Sequence, residues 1–210
     1  DILFSGTVTQ VGFTTNFPNN EKLCDDPITI YDINKLAAEK YLQYYSRQMG
    51  GRSVTLRLSN VYGPGPQSGS ADRGFLNMMT HRAIKGEPLT IYGKGQFVRD
   101  YIFIDDVVNA FLIAGSKMDV VKGRYYVLGS GKGHTIKQAA EMVKERVLNL
   151  IENNVEIRYI PVPEGLSKIE TRQFVADASN FKRDTGWEPS VSLQTGIDRT
   201  IKFFSVGNNA

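Results

Sequence analysis

Cysteine and histidine are nearly absent from this 210-residue sequence: Cys24 stands alone, and His81 and His134 are the only imidazoles. A single cysteine excludes an internal disulfide, and so few thiols and imidazoles leave no ligand set for a zinc site, so no metal is expected. No apolar run reaches the ~18 residues that a membrane helix needs, so no membrane span is expected. The formal net charge is only +3, and no basic stripe alternates with aromatics. Nucleic acid is therefore not an expected partner. The opening residues Asp1–Ser5 lack the pattern of a signal peptide, which makes a cytoplasmic setting the default. Internal repeats and low-complexity tracts are also missing.

What is present is ordinary globular composition, 41% apolar and 22% charged, enough for one large domain or two small ones. Ile2–Phe4 reads as a short buried strand and Ser5–Thr9 as a hydroxyl-rich turn. Gly12–Pro27 is polar and turn-rich. Over Tyr31–Met49 the apolar residues Leu36, Ala37, Tyr41, Leu42 and Tyr45 recur at helical spacing, until Gly50-Gly51 ends the pattern. Val54–Leu58 is a strand, and the Pro-, Gly- and Ser-rich stretch Pro64–Gly74 marks a boundary. Beyond it, strands are predicted at Leu89–Tyr92, Tyr101–Ile104, Tyr125–Leu128 and Val155–Ile160. Helices are predicted at Phe75–Lys85, Asp105–Ser116, Thr135–Ile151 with Thr135 as N-cap, Ser179–Thr185 and Leu193–Phe204. His81 reads as an exposed helix residue. Strands alternate with helices, so the expected class is α/β with a piece of parallel sheet.

Tyr31 and Lys35 lie four apart on the first helix and so share a face. A phenol with a pKa of about 10 is a poor base at neutral pH, and an adjacent ammonium lowers that value. Such a tyrosine can exchange a proton with a substrate hydroxyl, and a nearby threonine, Thr7, can hydrogen-bond the same oxygen. Hydride exchange between an alcohol and a nicotinamide needs this arrangement, one group moving the proton while the cofactor carries the hydride. Taken alone, the pair describes a surface tyrosine and lysine better than a catalytic one. By the same standard Arg99-Asp100 reads as an ion pair on a strand, Asn60 as a turn or capping residue, and Trp187 as core.

Four segments in order carry more. Pro27 precedes Tyr31-Asp-Ile-Asn-Lys35, followed by Leu-Ala-Ala-Glu39. Next come Arg57-Leu-Ser-Asn60-Val-Tyr62-Gly63-Pro64-Gly65, then Gly93-Lys94-Gly95 leading into Arg99-Asp100-Tyr101-Ile102-Phe103-Ile104-Asp105-Asp106-Val107. Asp177-Ala178-Ser179 and Gly186-Trp187-Glu188-Pro189 close the series. Together they resemble the extended short-chain dehydrogenase/reductase family over essentially the whole chain.

The resemblance implies a partial Rossmann-like parallel sheet over 1–63, and a smaller α/β domain over 64–210 that binds the substrate, with some segments returning to the sheet. It implies Thr7, Tyr31 and Lys35 as catalytic residues. Ser5, Tyr31, Lys35 and Leu58 fall on the side of an NAD or NADP cofactor. Asn60, Phe75, Leu76, Ile91, Tyr92, Arg99 and Arg172 would bind a nucleotide-diphosphate sugar, the two arginines on the diphosphate. Around Arg172 the usual Arg-Pro-Gly-Asp is missing from Pro161–Arg172. The helix Tyr31–Met49 would join a homodimer through Tyr41, Tyr44 and Tyr45.

Within the family, dehydratases carry an acidic pair directly after the threonine, and decarboxylases a glutamate two residues on. Here those positions are Val8 and Thr9, so the expected reaction is 4-epimerisation by reversible hydride transfer. A 4-keto-sugar reductase, a 4,6-dehydratase-type enzyme, a dinucleotide-sensing relative without catalysis and an inert fragment stand as alternatives. Gln10-Val11 and Gly6 depart from the family's usual Val-Tyr and serine. No glycine-rich dinucleotide fingerprint precedes Tyr31, and at ~30 residues per βαβ unit roughly 100 residues of the family's fold are expected upstream. The isolated chain is therefore expected to bind NAD poorly and to be inactive. Incubating it with NAD and a UDP-hexose checks this, and measurable turnover would contradict it.

Overall fold

The computed structural model describes residues 1–14, 17–65, 74–164 and 171–207. A parallel sheet holds β1 (Ile2–Thr7), β2 (Ser53–Leu58) and β6 (Arg124–Leu128) in the order β1-β2-β6. Between β1 and β2 the chain forms a 3₁₀ turn (Val8–Val11) and then α1 (Ile30–Gln48). Two smaller sheets follow. In one, β3 (Asn60–Tyr62) runs parallel to β5 (Val98–Phe103), and β7 (Gly133–Thr135) pairs antiparallel with β5. In the other, β4 (Leu89–Tyr92) runs parallel to β8 (Ile157–Ile160). The remaining helices are α2 (Phe75–Ile84), α3 (Ile104–Ser116), α4 (Met118–Val121), α5 (Ile136–Ile151), α6 (Ser179–Thr185) and α7 (Leu193–Gly207).

Side-chain alternation along β2 explains how this sheet is covered. Successive residues point to opposite faces, so Val54 and Leu56 turn one way and Ser53, Thr55 and Arg57 the other. Val54 and Leu56 join a core with Val107, Ala110 and Ala114 of α3, Tyr126 and Leu128 of β6, Phe181 and Trp187. The polar face meets α1, whose buried residues are Asp32, Glu39 and Gln43. A second core packs α2, α5 and α7 around Tyr62, Tyr101, Phe103, Leu89 and Ile91.

Helix starts follow local chemistry. Thr29 accepts the Asp32 amide at 3.0 Å and Asp32 accepts the Thr29 amide at 3.2 Å, a reciprocal cap for α1. Thr135 and Gln138 cap α5 in the same way. Asp106 fixes the segment between α6 and α7: it accepts Ser190 N, Ser190 Oγ and Val191 N, and its carbonyl receives the Trp187 indole at 3.1 Å.

Several expectations are corrected. Ile2 and Leu3 are not buried but 40% and 39% exposed, because β1 is the edge of its sheet and is covered only in part. The strand continues to Thr7 rather than turning at Ser5. β5 starts at Val98 and stops at Phe103, since its first residues pair with β7, a three-residue strand too short to read from periodicity. β8 starts at Ile157, and Val155 is core. His81 is half-buried, its ring 3.8 Å from that of Phe204. The boundary stretch Pro64–Gly74 lies largely outside the described residues, as do 165–170 of the segment before Arg172. Among the described residues no helix is long and apolar enough to cross a membrane, and no cluster of His, Cys, Asp or Glu is arranged to hold a metal.

Gly196 on α7 shows how tightly the second core closes. A Cβ there would lie 2.0 Å from the Tyr62 hydroxyl and 2.8 Å from the Phe103 ring. Alanine gains about 0.5–1 kcal/mol of helix propensity over glycine, but overpacking costs about 1–3 kcal/mol, and both obstacles belong to buried side chains. Gly196→Ala is thus expected to destabilise the fold by about 1–2 kcal/mol net, measured by urea denaturation. Unchanged or raised stability would show that Tyr62 can move aside.

Candidate active site

The site is built where β1 ends and α1 begins. Tyr31 occupies the first turn of α1 and is 47% exposed. One turn on, Lys35 donates to the Ser5 carbonyl at 2.7 Å, and its ammonium lies 4.9 Å from the Phe4 ring centroid and 5.8 Å from that of Tyr31. Thr7, the last residue of β1, is buried. Its hydroxyl bonds that of Thr9 at 2.9 Å. Thr9 in turn donates to Asp32, the neighbour of Tyr31. Ser5 and Thr7 thus lie on β1 beside the first turns of α1, which carry Tyr31 and Lys35. Leu58, at the end of β2, pairs with Thr7 in the strand register and is half-buried.

Two buried carboxylates hold this geometry. Glu39 is fully buried and takes a bidentate pair from Arg57, Nε at 2.8 Å and Nη2 at 2.7 Å. Arg57 also pairs with Asp25 at 2.7 Å and lies 3.9 Å from the Tyr125 ring centroid. Gln10 and Gln43 donate to Glu39, and the Gln10 amide oxygen accepts Thr7 N at 3.2 Å. Gln10 is one of the departures from the family pattern, and its amide joins Thr7 to Glu39. Asp32, also fully buried, accepts from Thr9, Thr29 and Arg172. Burial works against its charge, but the Thr9, Arg172 and Thr29 donors outweigh it and hold its pKa below the usual 3.8.

The residues assigned to substrate spread more widely. Asn60 is exposed, and its amide donates to the Asp100 carbonyl at 3.1 Å. Arg99, on β5, is half-buried. Asp100 is buried and accepts Ser130 N, Ser130 Oγ, Gly131 N and Ala176 N, so it joins β5 to the turn before β7 and to the segment before α6. Burial pushes its carboxyl up, against those donors. Leu76 and Ile91 are core residues with 2% and 1% exposure, Phe75 packs against the same core, and Tyr92 is exposed at the end of β4. Arg172 is buried against Asp32 rather than gathered with Arg99. Sequence reasoning passed over Thr9, Asp32, Glu39 and Arg57 as a linked set. The Thr29-x-x-Asp32 cap spacing signals only the Asp32 end of it.

The ammonium of Lys35 and the phenol of Tyr31 suit the ribose of a nicotinamide nucleotide and an alcohol beside it. A lysine ammonium carries three donors and can serve the Ser5 carbonyl and a ligand's hydroxyls together.

Comparison with known proteins agrees with this chemistry. Residues 1–129 match the model of the NAD dependent epimerase/dehydratase family. The chain is similar to the UDP-glucose 4-epimerase of Mycolicibacterium smegmatis, 27% identical over 188 residues, covering 90% of this chain and 56% of that protein. It is similar to the dTDP-4-dehydro-6-deoxyglucose reductase of Escherichia coli, 28% identical over 204 residues, covering 96% and 60%. The fold matches the crystal structure of a UDP-glucose 4-epimerase from Thermotoga maritima with UDP-glucose at a TM-score of 0.86 and 33% identity, over 98% of this chain and 63% of that one. The chain therefore spans less than two thirds of the length of these relatives.

The Asp32 network has a pH signature. Its folded pKa lies below the 3.8 of an ordinary aspartate, so the unfolded chain binds the proton more tightly. Its contribution to stability is complete above the unfolded value and is lost as pH falls through the folded one. Denaturation followed from about pH 5 to about pH 2 should show a shallower loss of stability for Asp32→Asn than for the unaltered chain. Equal slopes would mean that Asp32 is not held ionised by its partners.

Proposed function

The chain belongs to the NAD dependent epimerase/dehydratase family, and from that premise we propose that it carries the proton-transfer end of a nucleotide-sugar 4-epimerase. The supporting observation is the carboxyl-free run from the end of β1 into the 3₁₀ turn. Elimination of water needs a carboxyl group able to act as acid and base, but Thr7-Val8-Thr9 supplies none. Asp32, which reaches this run, is tied to Thr9, Thr29 and Arg172. An ionised, fully engaged carboxylate holds structure and offers no proton. Epimerisation requires only that an alcohol be oxidised and reduced again.

In this reading a bound NAD would supply reversible hydride exchange at the sugar carbon that bears the reacting hydroxyl. Tyr31 takes the proton of the sugar hydroxyl and gives it back, and Lys35 holds the nicotinamide ribose. Arg99 pairs with the diphosphate, since its charge and planar fork suit phosphate oxygens, with Asn60 beside it. Phe75 and Tyr92 have the surface to meet the base. Residues 1–63 with β6 serve the cofactor, and most of 64–210 the sugar nucleotide. The outer face of α1, where Tyr41 and Tyr44 are 76% and 60% exposed, is the surface for a second copy. Similarity to the Escherichia coli reductase favours a second reading, one-way reduction of a 4-keto sugar, which differs in its product.

Kinetics on the natural full-length protein with NAD and UDP-glucose test this. Tyr31→Phe should lower kcat by about 10²–10⁴-fold, with the sugar C4 epimer as the product of the unaltered enzyme. Activity retained in Tyr31→Phe would sink the catalytic assignment. No epimer from UDP-glucose, together with NADH-dependent reduction of a separately supplied NDP-4-keto sugar to the alcohol, would move the assignment to the reductase.

A further inference from the structure

Arg99, Tyr101 and Phe103 share one face of β5, because alternate residues of a strand point the same way. β3 lies beside them. Asn60 pairs with Tyr101 and Tyr62 with Phe103, and the Tyr62 ring meets both aromatics edge-on, with centroids 6.5 and 5.5 Å away. Tyr101 is only 4% exposed. A phenol at that depth normally finds a hydrogen-bond partner. The buried Tyr62 donates to the Leu193 carbonyl at 3.2 Å, and the buried Tyr126 to Asp184 at 2.8 Å. Among the described residues the Tyr101 hydroxyl has no partner. An unmet buried hydroxyl costs stability, so its presence here calls for a use.

The surroundings show what is missing. Arg99, two residues earlier on the same face, acts on the phenol through its charge. A guanidinium has donors only and cannot accept the phenolic proton. Burial holds the Tyr101 pKa up at about 12 in spite of that cation, so the hydroxyl is a neutral donor throughout the working pH range. We propose that Tyr101 is a ligand of the sugar nucleotide, its hydroxyl donating to a diphosphate oxygen held between Asn60 and Arg99. The inference rests on the reading of Asn60 and Arg99 given above. A phosphate oxygen is a charged acceptor, and a hydrogen bond to such an oxygen is about twice as strong as one between neutral groups. The diphosphate therefore satisfies a hydroxyl that the free protein leaves unmet, and stability given up in the free fold returns as affinity in the complex.

Tyr101→Phe deletes the hydroxyl and keeps the ring, so it separates this role from a structural one. Calorimetric titration of the natural full-length protein in the presence of NAD should show UDP bound about 10–100-fold more weakly by the variant. With NAD and UDP-glucose, KM should rise by a similar factor while kcat stays within about twofold, because the diphosphate is held alike before and during the reaction. Urea denaturation without ligand should find the variant as stable as the unaltered protein, or more stable. Unchanged UDP affinity would overturn the proposal, since the hydroxyl would then meet no phosphate. A variant less stable without ligand would overturn it too, since the hydroxyl would already have a partner. A loss confined to kcat would do the same. The unaltered protein keeps the two levels apart. If it neither binds UDP nor acts on UDP-glucose, the functional reading falls, and this inference with it. If it does both and Tyr101→Phe matches it, only the Tyr101 contact falls.

Discussion

The ion pair between Arg57 and Glu39 sets the rest of the site. Glu39 is fully buried and Arg57 is 1% exposed, so neither charge has water to fall back on, and each requires the other. The pair lies in an interface that is polar throughout. Ser53 donates to the Leu42 carbonyl at 2.8 Å, Gln43 reaches Glu39, and Arg57 bridges to Asp25. A helix seated on an apolar face can slide or rotate at small cost, since hydrophobic contact has no direction. Hydrogen bonds are directional, and a bidentate pair fixes both the rotation and the height of α1 over β2. Asp32, seven residues before Glu39 and two turns away along the same face, does the same at the start of the helix. On the adjoining face Lys35 reaches the Ser5 carbonyl of β1, with Tyr31 one turn before it.

A similar logic runs through the later motifs. Asp100 and Asp106 each gather several amide and hydroxyl donors from distant parts of the chain. Trp187 joins its core to the Asp106 carbonyl. Asp100 and Asp106 of the third motif thus act as buried staples that hold the backbone where it must be.

How much of this was legible beforehand varies with the range of the interaction. α1, β4, α5 and α6 could be placed from periodicity and capping residues, because Thr135, Gly50 and the apolar spacing act locally. The parallel sheet was legible as a class. β7 was not, because a three-residue strand exists only through its pairing with β5. The half-covered state of Ile2 and Leu3 is likewise set by which elements lie over β1. At the site, Thr7, Tyr31 and Lys35 were named from spacing and resemblance. Arg172 was read as a phosphate ligand by analogy, yet the structure sets it against Asp32, a contact between residues 140 positions apart. No local pattern announces such a pair. The polar face of α1 was hidden for a related reason: Asp32, Glu39 and Gln43 look like solvated residues until Arg57 and Thr9 arrive from elsewhere.

The central claim is that buried carboxylates orient α1 so that Tyr31 and Lys35 face a nicotinamide. A crystal structure of the natural full-length protein with NAD and UDP-glucose tests it most directly. The account predicts the nicotinamide ribose within hydrogen-bonding distance of Tyr31 and Lys35, the sugar hydroxyl between Tyr31 and Thr7, and the Arg57–Glu39 pair intact. A nicotinamide bound away from Tyr31, or a helix α1 reoriented with that pair broken, would contradict it.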